Sequence, residues 1–522
     1  MSHWAFEIAE KIINTRPNKE EYVCACGISP SGSVHIGNFR DVATSYFVAK
    51  ALVAKGKKAK LLLSWDDFDR LRKVPTNISS VVEGFETNIG KPYTMIDDPF
   101  GTSESYGLHF EREFEQALIE MGIDLEIKRQ TKNYTSGKYV EGIKKSLKNR
   151  KEIYDIIMKF KTQEASDADR EEYYPISVYC EKSLKDNTKV LKYDEETEEL
   201  TFYCQDCGCE HVVNVNDYRL IKLVWKVDWP MRWQYEGVDF EPGGIDHASA
   251  NGSYDVAKEI SREIFGYEAP FFQGYGWLGI RGLGSMHSST GNNITPARVL
   301  QVYEPEIVKW LFAKYKPEDS FDFAFDDVVI RHYSEYDKLL SRAKEGNVLE
   351  NEKELLSLLF GDNLPQAKTP FGNLVSIAPV VNFNIQMLRA SLAKAGVEFE
   401  ENSENRVEKA KNWINLYNPD KEFKLLGSFN GEYFGNMTSE EKEVLHKLKE
   451  FLANSESTEK EIQQYLYDII NDASLTKKEN VARQNQNFKN IYNMLFGTDN
   501  GPRLYLFLSA VDKKNYIELL GN

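Results

Sequence analysis

The sequence predicts an α/β protein: a doubly wound parallel sheet, a Cys-bearing insertion within it, and an all-helical C-terminal half. Three observations predict it. Short apolar runs alternate with helical patterns over residues 21 to about 110 and again over 216 to 300, an alternation that closes into a parallel sheet. A loop of Gly, Ser and Pro, from Gly27 to Asp41, joins the first apolar run to a helical pattern, Val42 to Val53, as in the first turn of a Rossmann-like domain. From Tyr303 onward the apolar spacing is helical.

At 522 residues the chain holds three or four domains. The boundaries expected are 1–110 and 216–300 for the two halves of the sheet domain, 111–215 for the insertion, 301–345 for a connecting helical segment and 346–522 for a helical domain. Hydrophobic content of 41% with 12% aromatic residues supports large cores and excludes a disordered class. No run of about 18 apolar residues occurs, so no membrane span is expected, and the N-terminus has no signal-peptide pattern. Six cysteines, four of them between Cys180 and Cys209, form no disulfide framework in a chain of this size, so a reducing cytoplasm is the expected compartment.

Residues 1 to 20 read as a leading amphipathic helix. Tyr22-Val23-Cys24-Ala25-Cys26 is a buried strand. The loop after it carries Gly32, His35 and Gly37, and the next helix opens at its far end. A helix N-terminus presents free N–H groups and partial positive charge, which suits a polyphosphate. Lys60 to Trp65 is a second buried strand, followed by Asp66-Asp67-Phe68-Asp69-Arg70. In a doubly wound sheet both loops fall at the strand C-termini, where ligands sit.

The net charge is −16, yet from Glu126 to Lys161 eleven Lys/Arg accompany four Asp/Glu. Local patches outweigh net charge in binding polyanions. Lys144, Lys145 and Lys148 stand in this stretch, which is either a phosphate-binding face or a solvated helix. Further on, Cys180 begins one knuckle and Cys204-Gln205-Asp206-Cys207-Gly208-Cys209-Glu210-His211 forms another, the layout of a zinc ribbon. Ser183 stands where the first knuckle's second Cys would fall. The expected ligands are Cys180, Cys204, Cys207 and Cys209, with His211 the other source of a fourth; the alternative is a metal-free hairpin.

The sheet pattern returns with Val224-Trp225-Lys226-Val227-Asp228-Trp229-Pro230-Met231-Arg232-Trp233 and the glycine turn Gly243-Gly244-Ile245-Asp246-His247. An acid after such a turn commonly holds a ribose hydroxyl. Then comes Gly284-Ser285-Met286-His287-Ser288-Ser289-Thr290-Gly291-Asn292. In the helical half, Thr438 to Glu441 and Thr458 to Glu461 are capping boxes that open helices.

These segments together resemble the class I aminoacyl-tRNA synthetases. Pro-Ser-Gly-x-x-His-Ile-Gly-Asn, from Pro30 to Asn38, is similar to the first signature as class I lysyl-tRNA synthetases carry it. Trp-Pro-x-Arg-Trp, Gly-x-Asp-His and Gly252-Ser253-Tyr254-Asp255 continue the likeness. Residues 284 to 292 resemble the second signature, Lys-Met-Ser-x-Ser-Lys-Gly-Asn, but Ser285 and Thr290 replace its two lysines. The resemblance implies attachment of lysine to tRNA(Lys) through a lysyl-adenylate, with ATP and Mg²⁺ consumed in the first step and the C-terminal helical domain reading the anticodon. It implies ATP contacts at His35, Asn38, Asp246, Ser285, Met286, Ser288 and Ser289. It implies lysine contacts at Gly27, Ser29, Asp67, Trp229, His247 and Tyr275; for the ammonium itself, carboxylates or aromatic walls are available at Asp41, Asp67, Trp229 and Tyr275. The missing lysines keep two other readings open: a degenerate paralogue that binds tRNA or nucleotide without efficient aminoacylation, and a nucleotidyltransferase that uses no tRNA.

Overall fold

The computed structural model describes residues 2–80, 82–161, 166–249, 251–281, 284–285 and 293–521. Its strands, in chain order, are β1 (Glu21–Ile28), β2 (Lys58–Trp65), β3 (Glu126–Arg129), β4 (Ile176–Val178), β5 (Thr188–Asp194), β6 (Glu199–Cys204), β7 (Cys209–Asn214), β8 (Ile221–Leu223), β9 (Phe240–Gly244), β10 (Phe271–Tyr275), β11 (Leu278–Ile280), β12 (Gly284–Ser285) and β13 (Phe321–Phe323). The chain divides into two compact units.

The first unit comprises residues 1–300, 308–323 and 349–362. Its centre is a five-stranded sheet in the order β10-β9-β1-β2-β3, parallel throughout. β1 is buried along most of its length, as the near-continuous apolar run requires of a strand covered on both faces. The helix Phe39–Ala54 carries the crossover from β1 to β2 and buries most of its residues, from Phe39 to Leu52. β1 and β2 stay in register from Glu21↔Lys58 to Ile28↔Trp65. On its other side β1 registers with β9 at Cys24↔Phe240, near the start of β9. Beyond that point the Gly27 N–H turns instead to the Asp41 carboxylate, at 3.1 Å. The sheet therefore opens between the C-terminal ends of β1 and β9. The chain winds outward from β1 through β2 and β3 and later returns to the other side of β1, so this opening is the switch point where such folds bind ligands.

Between β3 and β9 lie the pair β4-β8, the antiparallel ribbon β5-β6-β7 and the helices Val140–Lys148 and Arg150–Lys159. They share one core, in which Ile143, Leu147, Ile153, Cys180, Phe202 and Cys204 are buried together.

The second unit comprises residues 301–307, 324–348 and 363–522. Beyond Phe323 every described element is helical. Thr438 and Thr458 form the expected capping boxes with Glu441 and Glu461. Thr476 and Glu479 form another. Within this unit Arg406, 1% exposed, joins Glu304 and Asp337 at 2.8 Å each.

Candidate active site

Asn38 sits at the N-terminus of the helix Phe39–Ala54, but its side chain caps no helical N–H. Its Oδ1 accepts the His35 N–H at 3.2 Å instead, and the N–H groups of Asn38, Arg40 and Asp41 donate to the carbonyls of His35, Gly37 and Asn38, which folds the loop into a tight turn that runs into the helix. Tyr106 Oη donates to the Ser31 carbonyl at 2.8 Å and holds the loop from outside. The Ile36 N–H donates to the Ile294 carbonyl at 2.8 Å, and Asn293 Nδ2 to the Ser33 carbonyl. The residues just after the second signature segment thus lie against the first. Met286, Ser288 and Ser289 lie outside the described residues; Ser285 is described as backbone of β12, paired with Gly279 of β11.

Around the opening, the ends of β1, β9 and β10 bring together Gly27, Asp246, His247 and Tyr275. Asp246 folds back over Gly244, where a Cβ would stand 2.6 Å from its Oδ1 and would push that carboxylate aside. Asp41 is 6% exposed, and burial, reinforced by the neighbouring charge of Glu241, pushes its carboxyl well above the usual range. Burial likewise raises the Tyr275 hydroxyl, helped by the negative charges of Asp41 and Asp246. Trp229 comes from the helix Trp225–Glu236, its ring 6.2 Å from that of His247 and stacked on Trp225 at 4.9 Å. The Ser29 hydroxyl meets Tyr93 and depresses that phenol against the larger effect of burial, which carries it up to about 12.

Asp67 lies apart from the other expected lysine contacts. Its Oδ1 accepts the Thr131 N–H at 2.7 Å on the β3 side, and burial pushes its carboxyl up to about 7. Its neighbour Asp66 takes the place by the opening, where Arg232 Nη1 bonds it at 2.7 Å and also reaches Ser64. Sequence reasoning placed Asp66 in a ligand-facing loop and Arg232 in the Trp-Pro-x-Arg-Trp segment but gave neither a role, and it gave none to Glu241. Glu241 offered a signal, since it is an acid inside the otherwise apolar start of β9.

The basic stretch is largely neutralised. Lys128 pairs with Glu126 and Glu236, Lys144 with Glu141 at 2.8 Å, and Lys151 with Glu171 at 2.6 Å. Lys145 and Lys148 stand on the helix Val140–Lys148, in its last turn.

In the ribbon, Cys180 Sγ and Cys207 Sγ are 3.8 Å apart, and His211 Nε2 stands 3.6 Å and 3.3 Å from them. Tetrahedral zinc, with bonds of about 2.3 Å to sulfur and about 2.0 Å to nitrogen, separates two sulfurs by about 3.8 Å and sulfur from nitrogen by about 3.5 Å. These residues therefore fit zinc. Cys204 adjoins the cluster, hydrogen-bonded with Ser183, Cys207 and Cys180. The Cys209 thiol turns toward the Cys207 carbonyl at 3.3 Å, so His211, not Cys209, completes the group.

The family model described as "tRNA synthetases class I (K)" matches residues 2–358. Among curated proteins the chain is similar to a "Lysine--tRNA ligase" of Streptomyces coelicolor, 34% identical with 100% of this chain and 98% of that one covered. It is similar to proteins of the same name from Treponema pallidum, 33% identical with 99% and 98% covered, and Pyrococcus furiosus, 33% identical with 100% and 99% covered. The match takes in the loop His35 to Asn38, the glycine turn before Asp246 and the inserted ribbon alike, and by it the chain belongs to the class I (K) tRNA synthetases.

Proposed function

We infer that the chain is a lysine–tRNA ligase: it joins lysine to tRNA(Lys) at the expense of ATP, through a lysyl-adenylate. The observation that carries this is the end-to-end match to relatives of that name, which extends through the catalytic core and the helical unit alike. A lysine carboxylate oxygen attacks the α-phosphorus of ATP and pyrophosphate leaves; Mg²⁺ arrives on the triphosphate as part of the substrate. A ribose hydroxyl at the tRNA 3′ end then attacks the lysyl carbonyl carbon and AMP leaves. No covalent enzyme intermediate forms, so the protein acts by positioning and charge.

His35, Asn38 and the helix N-terminus behind them meet the phosphates, with Ser285, Met286, Ser288 and Ser289 along the nucleotide. Asp246 takes the ribose hydroxyls. Gly27, Ser29, Trp229, His247 and Tyr275 enclose lysine. The basic face at Lys145 and Lys148 receives the acceptor arm, and the second unit the anticodon arm. Zinc would be held by Cys180, Cys207 and His211 with Cys204 beside them, and when bound it cross-links the ribbon. The tRNA substrate and the free thiols suit a reducing cytoplasm.

Lysine-dependent ATP–pyrophosphate exchange tests the reading. Exchange is expected with lysine, and in a thermal-shift panel of amino acids with ATP the largest shift is expected for lysine. A larger shift with arginine or glutamate overturns it.

A further inference from the structure

We propose that Asp41 and Glu241, on either side of Gly27, form the subsite that holds the substrate's side-chain ammonium and excludes uncharged side chains. This rests on the lysine reading above. Asp41 Oδ2 accepts the Gly27 N–H, while its Oδ1 is buried with no hydrogen-bond partner among the described residues. A bare carboxylate oxygen in the interior is costly unless a donor arrives to meet it. Glu241, 8% exposed, uses Oε2 to accept from Trp233 Nε1 at 2.6 Å and turns Oε1 toward Gly27. A Cβ added at Gly27 would find Glu241 Oε1 at 3.9 Å and the Ser64 carbonyl at 4.0 Å, ordinary contacts both. The fold thus admits a Cβ at this position, in van der Waals contact with both oxygens.

The nearby cations make their direct contacts elsewhere. Arg232 is bound by Asp66 and Asp228, and Arg40 donates to the carbonyls of Gly276, Lys316 and Asp319. Burial raises both carboxyls; Arg232 offsets part of this at Glu241, whereas at Asp41 the charge of Glu241 adds to it, so an entering cation would meet the uncompensated charge there. The geometry also favours one kind of cation. An ammonium is a compact charge with three donors and can meet two carboxylates at an angle. A guanidinium is a planar fork suited to a single one.

The test uses the full chain with Asp41→Asn and, separately, Glu241→Gln. The amide introduced by Asp41→Asn keeps an oxygen for the Gly27 N–H, so the local fold contact survives. Neutralising one partner of a buried charge pair predicts a fall of about 30-fold or more in kcat/KM for lysine in each variant. The fall is expected in KM for lysine, with KM for ATP within about twofold, and the preference for lysine over norleucine, read by calorimetry, is expected to collapse. Lysine KM unchanged in both variants overturns the proposal. So does a rise shared equally by lysine and ATP, which marks general disruption. Wild-type exchange that answers to no cationic amino acid fails at an earlier point, in the function reading itself.

Discussion

Asp66 and Asp67 follow β2 directly, where the chain leaves the strand and enters a turn closed by the Asp69 N–H on the Asp66 carbonyl. One reaches Arg232 by the opening; the other is sealed against Thr131, near Glu111, which burial pushes up to about 8. The sequence shows both acids but not which side each faces, because that depends on how the turn after the strand winds. The sealed one has a pH signature. The Asp67 carboxyl titrates at about 7 in the folded chain against its ordinary value of 3.8. Between those pH values the folded chain holds more protons than the unfolded one, so this contribution to stability is complete below about pH 4 and is lost as pH rises toward 7. Asp67→Asn keeps an acceptor for Thr131 and removes the charge, so it should raise the thermal midpoint more at pH 8 than at pH 5. Equal shifts at both would place the carboxyl in solvent. Ser285 and Thr290 carry another prediction. The signature's cations act on charge that develops in the transition state, and one preorganised donor is typically worth about 10² to 10³ in rate. Ser285→Lys with Thr290→Lys should therefore raise the exchange kcat by about one to three decades while KM for ATP moves little. A flat kcat would mean that another cation already serves the triphosphate.

The helix Val140–Lys148 shows how far an element can be read from its letters. Its run of lysines was visible in the sequence. The local partner Glu141 was visible too; Glu198, which stands 3.7 Å from Lys144, was not, because it comes from a hairpin more than fifty residues away. A paired lysine releases fewer counterions when it meets a phosphate. Lys145→Gln with Lys148→Gln should flatten the salt dependence of tRNA affinity by about one unit of log–log slope per lysine engaged, and Lys144→Gln alone by less. Identical slopes in all forms would mark the helix as a solvated face. The ribbon taught the same lesson. Cys207 and His211 lie close in sequence, but only the placement of Cys180 beside them decides that His211, and not Cys209, shares the cluster. Distance along the chain gave the knuckles; the third dimension chose among their ligands.

At the scale of the molecule, the parallel sheet and the helical half were both legible, because burial on two faces writes continuous apolar strands and packing on one face writes helical spacing. The order of the strands was not written anywhere locally. β9 pairs with β1 only after the chain has left the sheet, built the insertion and come back. That order has a consequence for the chain while it is being made. The flank of β1 that β9 will cover leaves the ribosome more than two hundred residues ahead of its partner. At about 5 to 20 residues per second, the wait is on the order of ten to forty seconds. For that time an apolar strand presents unpaired backbone to the cell, a template for any passing strand. Newborn chains of this protein are therefore most vulnerable, and most in need of a chaperone's cover, in the interval before Phe240 emerges.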